Sequence, residues 1–222
     1  MIDLPQVTLW ASVHSDDLEY FKRTIRVVHY MQRLFKFKRT IMFSNVPAPV
    51  EVNAERIQIP RFDHDQFNIW VNTGVPAFIG TDFAMSVHED GFVLDPSRWK
   101  KEFLDYDYIG APWSDGVVGN GGFNIESQEL LCAKRFLPFS VKVSPPWDGH
   151  DIIASDCYVC RLHRELLRDE YKITFAPRDL AMEFSTEQMR GPWPSLGFHG
   201  RNVVPHLYER GWKLIEESEK TT

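Results

Sequence analysis

Only three cysteines occur among the 222 residues, at positions 132, 157 and 160, an odd set without the paired spacing of a disulfide framework. A reducing compartment suits such a chain, and a cytoplasmic location is the expectation. No apolar run approaches the ~18 residues of a membrane span. The opening MIDLPQVTLWASVHSDD reaches Asp3 at once, without a basic leader, so neither secretion nor membrane insertion is expected. Positive charge is also in short supply: 25 Lys and Arg face 31 Asp and Glu, for a net charge of −6. No global basic field therefore favours a polyanion, although a local basic face stays open. There is no internal repeat, low-complexity tract or linker. With 43% hydrophobic residues, the chain is expected to bury one α/β core as a single domain over residues 1–222.

What is present alternates between two periods. QVTLWASV at 6–13 is β-branched and apolar, and Ser15 with Asp16 and Asp17 reads as an N-cap with an acidic first turn. In the helix that follows, Leu18, Phe21, Ile25, Val28 and Phe35 recur at helical spacing, while Lys22, Arg23, Arg26 and Arg33 occupy other faces. TIMFSN at 40–45 and ERIQIP at 55–60 read as second and third strands, and a helix is expected over 66–72. This β-α-β opening favours a mixed, mostly parallel sheet with helices on both faces, whose ligands gather at the carboxyl ends of strands. Further on come a strand from Thr81, an Asp95 cap with Pro96 at the first helical position, the strand-like YDYIG, and a helix from Ser127. A proline-rich loop at 143–151 precedes a helix over 155–168 with Val159, Leu162 and Leu166 on one face. The strand YKITFAP, the loop GPWPSLGFHG and an amphipathic helix close the chain.

Four places could carry chemistry. His88-Glu89-Asp90-Gly91 ends an apolar strand, where carboxylate oxygen suits a hard divalent cation and Asp90 is the best ligand; an acidic pair before glycine also simply makes a turn. The turn GNGG at 119–122 allows positive φ and close approach, and its neighbours Trp113 and Asn120 offer a sugar an indole face and an amide. Gly121 and Gly122 would lie against the ligand, or merely join two strands. Asp156, in a helix first turn if Ser155 is the cap, could take a proton from an attacking hydroxyl or only complement the helix dipole. His199, between Gly197 and Gly200, could complete a metal site or touch a phosphate. Cys157 and Cys160 read as packing residues; zinc on them with His88 would lack a fourth ligand.

In series, DFAMSVHEDGFVLDPSRWKKEFLDYDYIGAPW, VGNGGFNI, SDCYVCRLHRELL, ITFAPRDLAMEFS and GFHG resemble a family of uncharacterised glycosyltransferase-like domains of bacteria and phages, over about 81–200. The resemblance implies a GT-A-like, Rossmann-related fold with a nucleotide-binding half at 1–80 and a metal, sugar and acceptor half at 81–222. It implies a metal-dependent transfer of sugar from a nucleotide-sugar donor to a hydroxyl acceptor, with inversion. Asp90 then takes the divalent cation, Mn²⁺ or Mg²⁺, with His199 as a second ligand, and Asp156 is the base. His88, Trp113, Asn120, Gly121 and Gly122 would contact substrate. Two departures stand out: His88-Glu89 replaces the family's Gln-x before Asp-Gly, which alters the donor pocket, and Ser155 replaces a Glu before Asp156. The rivals are a silent sugar- or nucleotide-binding module, disfavoured by the two retained aspartates, and a nucleotidyltransferase, whose phosphate loop would need glycine and base where VHSDDLEY has acid. The acceptor is a glycan or small molecule first and a hydroxymethylated phage DNA base second, the latter needing the cluster Lys22, Arg23, Arg26, Arg33, Lys36, Lys38 and Arg39.

Overall fold

A computed structural model describes residues 1–138 and 153–220. The expected loop at 143–151 lies outside the described residues. In chain order the elements are β1 (Ile2–Val13), α1 (Leu18–Leu34), β2 (Phe35–Ser44), β3 (Glu55–Gln58), α2 (His64–Thr73), β4 (Phe83–Ser86), β5 (Gly91–Val93), β6 (Tyr108–Gly110) and β7 (Asn124–Ser127). Then follow α3 (Gln128–Lys134), the single turn α4 (Ser155–Cys157), a π-turn at Tyr158–Leu162, α5 (Arg164–Glu170), α6 (Arg178–Phe184), β8 (Ser185–Thr186), β9 (Gly197–His199) and α7 (Pro205–Glu219). Short 3-10 turns at Val75–Ala77, Pro96–Arg98 and Lys101–Leu104 complete the described elements.

Six strands form one sheet in the order β3-β2-β1-β4-β7-β6, with β7 antiparallel to both neighbours and the other pairings parallel. The fold is thus mixed α/β with a mostly parallel sheet, as the alternation of periods predicts. Successive side chains of a strand point to opposite faces, and the two faces feed separate cores. Leu9, Ala11, Val13 and Met42 join the larger one with Phe21, Ile25, Val28 and Met31 of α1; Trp10, Ile41 and Phe43 join the smaller one, against Trp70 and Val71 of α2. Helices cover both faces. A second sheet, β5-β9-β8, sits beside α7, whose Gly211 lies against the ring of Phe92.

Several boundaries differ from the sequence expectation. Asp17, not Ser15, caps α1: its carboxylate accepts from the N–H groups of Glu19 and Tyr20, while the Ser15 hydroxyl accepts from Asp17. Phe35, placed in the helix by periodicity, opens β2 directly after Leu34. Ala154 rather than Ser155 precedes α4. Beyond it the π-turn adds a residue to the helical repeat, so the expected apolar face is broken: Val159 is buried, whereas Leu162 and Leu166 are 47% and 41% exposed. YKITFAP contributes one bridge, Phe175 with Tyr108, not a strand. Asp95 does cap as its position suggests, and Asp63, not singled out from sequence, caps α2 through a reciprocal pair with Gln66.

Candidate functional site

After β4 the chain turns back within four residues. His88 and Gly91 exchange backbone hydrogen bonds, N–H to O, of 3.0 and 3.2 Å, leaving Glu89 and Asp90 at the tip. The two carboxylates separate, as like charges do. Glu89 turns inward and accepts from Arg23 Nε (3.2 Å) and the Tyr208 hydroxyl (2.9 Å), with an Arg201 guanidinium nitrogen at 3.4 Å. Asp90 turns the other way and accepts from the Arg201 backbone N–H at 3.1 Å. Strand β9 pairs with β5, setting His199 opposite Gly91 and its Nε2 3.8 Å from Asp90 Oδ1.

His88, Asp90 and His199 each offer one ligand atom, and these atoms lie within 4.8 Å of one another, so the three could hold a metal ion. Two imidazoles and one carboxylate are a donor set that suits a first-row transition ion better than Mg²⁺. Burial, with His199 and His14 close by, pushes the His88 pKa down to about 4, so this ring is neutral and able to ligate at pH 7. Burial would raise the Asp90 carboxyl and lower His199, but their neighbours outweigh it. His199, His88 and Arg201 bring Asp90 below its ordinary value, and Glu187 with Asp90 lifts His199 above its own. Glu187 Oε1 stands 3.4 Å from His199 Nδ1, which directs Nε2 toward Asp90; no sequence motif marks Glu187.

The glycine turn does a different job from the one its composition suggests. Its positive φ belongs to Asn120, at +68°, not to Gly119, Gly121 or Gly122. The Asn120 Oδ1 accepts from the Gly122 N–H at 3.1 Å and its backbone carbonyl from the buried Tyr108 hydroxyl at 2.9 Å, so its amide serves the turn and does not line the cleft. The glycines admit protein side chains: a Cβ on Gly119 would meet the Trp113 ring at 2.0 Å, and one on Gly122 the His199 ring at 1.9 Å. Trp113 is 7% exposed, with the Arg161 guanidinium 4.3 Å from its ring centroid, and it too lies outside the cleft lining. The indole expected to stack on a ligand is a core residue.

Asp156 does face the cleft. Its Oδ2 accepts from the Gly121 N–H at 3.0 Å and its Oδ1 from the Cys157 N–H at 2.7 Å, so the carboxylate is held against the glycine turn. The π-turn begins two residues later, and Asn68 Oδ1 accepts from the Ser155 N–H at 2.7 Å, tying this segment to α2. Cys157 and Cys160 take no part in the metal cluster among the described residues. Burial and the nearby Asp156 push the Cys157 thiol up to about 12 and Cys160 up as well, so neither supplies a thiolate.

Most of these groups border a cleft of about 190 Å³ on the α2 side of the sheet; Asp90 is not among its lining residues and reaches it only through its histidine neighbours. His88, His199, Gly121, Gly122 and Asp156 from the sequence reading line it, joined by Trp10, Phe67, Asn72, Asn124 and Glu126, which sequence patterns do not single out. Those five sit inside strands or a helix with the composition of any core-facing element. The N-terminal basic cluster is largely neutralised: Lys22 pairs with Glu19, Arg23 with Glu89, Arg26 with Glu219 and Arg39 with Glu55. No helix among the described residues is long and apolar enough to cross a membrane.

Solved structures that share this fold include two glycosyltransferases. One is a glycosyltransferase involved in the glycosylation of the major capsid of PBCV-1, at 12% identity over 94% of this chain and 98% of that one, with a TM-score of 0.51. The other is the apo form of the glycosyltransferase GlyE of Streptococcus pneumoniae TIGR4, at 10% identity over 95% of this chain, which spans 60% of GlyE, with a TM-score of 0.52. No curated protein sequence matches. Residues 76–199 match a family described as "Protein of unknown function (DUF5672)", almost the same segment that carries the motif series. With more than half of its length matched, and with a glycosyltransferase-like fold, the chain belongs to the DUF5672 family.

Proposed function

We propose that the protein is a metal-dependent glycosyltransferase that moves a sugar from a nucleotide-sugar donor to a hydroxyl acceptor with inversion at the anomeric carbon. The observation that carries this reading is the cluster of His88, Asp90 and His199, two of whose members, His88 and His199, line the same cleft as Asp156. Residues 1–80 supply the nucleotide half and residues 81–222 the metal, sugar and acceptor half. Asp90, His199 and His88 hold the cation, with Mn²⁺ a better match than Mg²⁺ to two imidazoles. When bound, that cation supplies positive charge for a diphosphate leaving group.

Asp156 accepts the proton of the acceptor hydroxyl as its oxygen bonds to the anomeric carbon and the bond from that carbon to the diphosphate breaks. The N–H groups of Gly121 and Cys157 hold the carboxylate in place for that step. Glu187 keeps His199 turned with Nε2 toward Asp90. Gly121 and Gly122 border the sugar. Three free thiols fit a cytoplasmic enzyme.

Glycans and small hydroxyl compounds rank ahead of DNA as acceptors, because the arginines that a phosphate backbone would need are engaged with carboxylates. A silent binding module is the second reading, favoured by the presence of the cleft alone. The test is a panel of sugar nucleotides assayed with and without Mn²⁺ for thermal stabilisation and for slow hydrolysis. A ligand at 100 times its dissociation constant adds about 2.7 kcal/mol. Metal-dependent stabilisation with hydrolysis supports the transferase, stabilisation without hydrolysis supports the binder, and no response to any sugar nucleotide overturns both.

A further inference from the structure

The cleft continues inward from His88 and His199 to a floor that the proposed chemistry does not use. Strand β7 supplies it with Asn124 and Glu126, two residues apart and so on one face of the sheet. Both are buried. Helix α3, which follows directly, returns Lys134 to the strand: its Nζ donates to Glu126 Oε2 at 2.5 Å, and Lys134 is 1% exposed. Lys134 therefore cancels the charge of Glu126 and fixes its carboxylate, while Glu126 Oε1 has no hydrogen bond among the described residues. The Ser86 hydroxyl hydrogen-bonds Asn124 Oδ1, which orients the Asn124 amide nitrogen as a donor with no protein acceptor among the described residues. Asn72 spends its Nδ2 on the Asn68 carbonyl at 3.2 Å and keeps its Oδ1. Trp10 and Phe67 supply apolar walls.

An acceptor, a donor and a second acceptor set among apolar walls are the complement of a ring that carries hydroxyls on its rim and C–H bonds on its faces. They also carry a charge preference. Among the described residues the cation at the floor, Lys134, is already paired, so a second carboxylate brought there would lose its water beside an acceptor-only group and gain no counter-charge from them. We propose that Glu126, with Asn124 and Asn72, forms the pocket for the transferred sugar and selects a neutral hexose over the corresponding hexuronic acid. Glu126 is here a specificity-determining residue and takes no part in the bond exchange. The inference rests on the glycosyltransferase reading, because it needs the diphosphate to lie at His88, Asp90 and His199 with the sugar pointing inward.

The experiment is titration calorimetry with Mn²⁺, first with uridine, guanosine and thymidine diphosphates alone, then with the hexose and hexuronate conjugates of whichever binds. The parent is expected to bind the hexose conjugate about tenfold or more tighter than the bare diphosphate and than the hexuronate conjugate. Glu126→Gln alone would strand the buried Lys134 charge, so the variant is Glu126→Gln with Lys134→Met, backed by Asn124→Ala, which changes no charge. Both should keep the affinity for the bare diphosphate and lose the hexose increment. Equal affinity for hexose and hexuronate in the parent, or an increment that survives in either folded variant, overturns the assignment while leaving the transferase reading intact. If no diphosphate binds with the metal, the transferase reading falls and this inference with it.

Discussion

The imidazole of His199 fills the space that a side chain on residue 122 would occupy: a Cβ built on Gly122 would come within 1.9 Å of ring Cδ2 and Nε2. The glycine turn and the histidine thus form one unit, and the smallness of residue 122 is what lets His199 reach Asp90. In Gly122→Ala the ring has to move, since the opposing atoms belong to a side chain wedged between Glu187 and Asp90. We expect Mn²⁺ affinity to fall roughly 10- to 100-fold and stability by about 1–3 kcal/mol. Calorimetric titration and urea unfolding measure the two separately. Parental Mn²⁺ affinity in a folded Gly122→Ala protein would detach His199 from the metal site.

Asp90 supplies the only carboxylate oxygen of the cluster. Asp90→Asn keeps the shape and removes the charge, so metal-dependent donor binding should be abolished while the protein stays folded, Glu89 still tying the turn to Arg23 and Tyr208. Mn²⁺ should bind the parent more tightly than Mg²⁺, because imidazole favours the transition ion. Paramagnetic resonance of free Mn²⁺ follows both comparisons. A parent that prefers Mg²⁺, or an Asn variant that binds Mn²⁺ as tightly as the parent, contradicts the assignment.

Asp156→Asn should retain donor affinity and lose ~10²-fold or more in turnover, the range of general-base catalysis. The amide can still accept one of the two N–H bonds now made by Gly121 and Cys157, so the glycine turn is expected to hold. The anomeric configuration of the product, read by NMR, checks the other half of the proposal. Retention of configuration, or near-parental turnover in the variant, removes Asp156 as the base.

Acid should destabilise the metal-free protein. His88 has its pKa pushed down to about 4 in the fold, burial being the main cause, against 6.5 for an ordinary histidine. The unfolded chain therefore binds more protons between these values, so the contribution of His88 is complete above pH 6.5 and is lost as pH falls toward about 4. One such group gives a slope of at most ~1.4 kcal/mol per pH unit. Burial lowers His14, His29 and His163 too, adding in the same direction. His199, raised in the fold, acts oppositely: its contribution is present below its ordinary value and fades as pH rises through the raised one. Urea unfolding between pH 4 and 7 should show stability rising with pH, with a shallower slope in His88→Asn. An unchanged slope would take His88 out of the account.

How much of this was legible beforehand depended on whether the deciding interaction was local. The β-α-β opening shows in the sequence because apolar period and capping are properties of neighbours, as Asp95 with Pro96 shows further along the chain. Asp90, His88, His199 and Asp156 are legible as motif residues; His88, His199 and Asp156 line one cleft, and Asp90 clusters with the two histidines. Trp113 and Asn120 misled because their chemistry fits a sugar while their surroundings do not: Gly119 and Arg161 cover the indole, and the Asn120 amide is spent on its own turn. Glu187, Asn124 and Glu126 could not be picked out because each acquires its meaning from a distant partner, His199, Ser86 or Lys134. The π-turn after Asp156 hid for the same reason. Helical periodicity assumes a uniform repeat, and one added residue moved Leu162 and Leu166 into solvent.

The clasp on Glu89 is made from outside the segment that matches the family. Residues 76–199 carry the matched segment and with it His88, Asp90, Asp156 and His199. Yet the groups that pin the acidic turn, Arg23, Arg201 and Tyr208, all lie outside that span, as does β1, the strand on which β4 is laid. Cut out of the chain, the matched segment would lose these contacts and the strand beside β4. Grafting it into another protein, or trimming the chain to it, would carry over the chemical groups while discarding the scaffold that aims them.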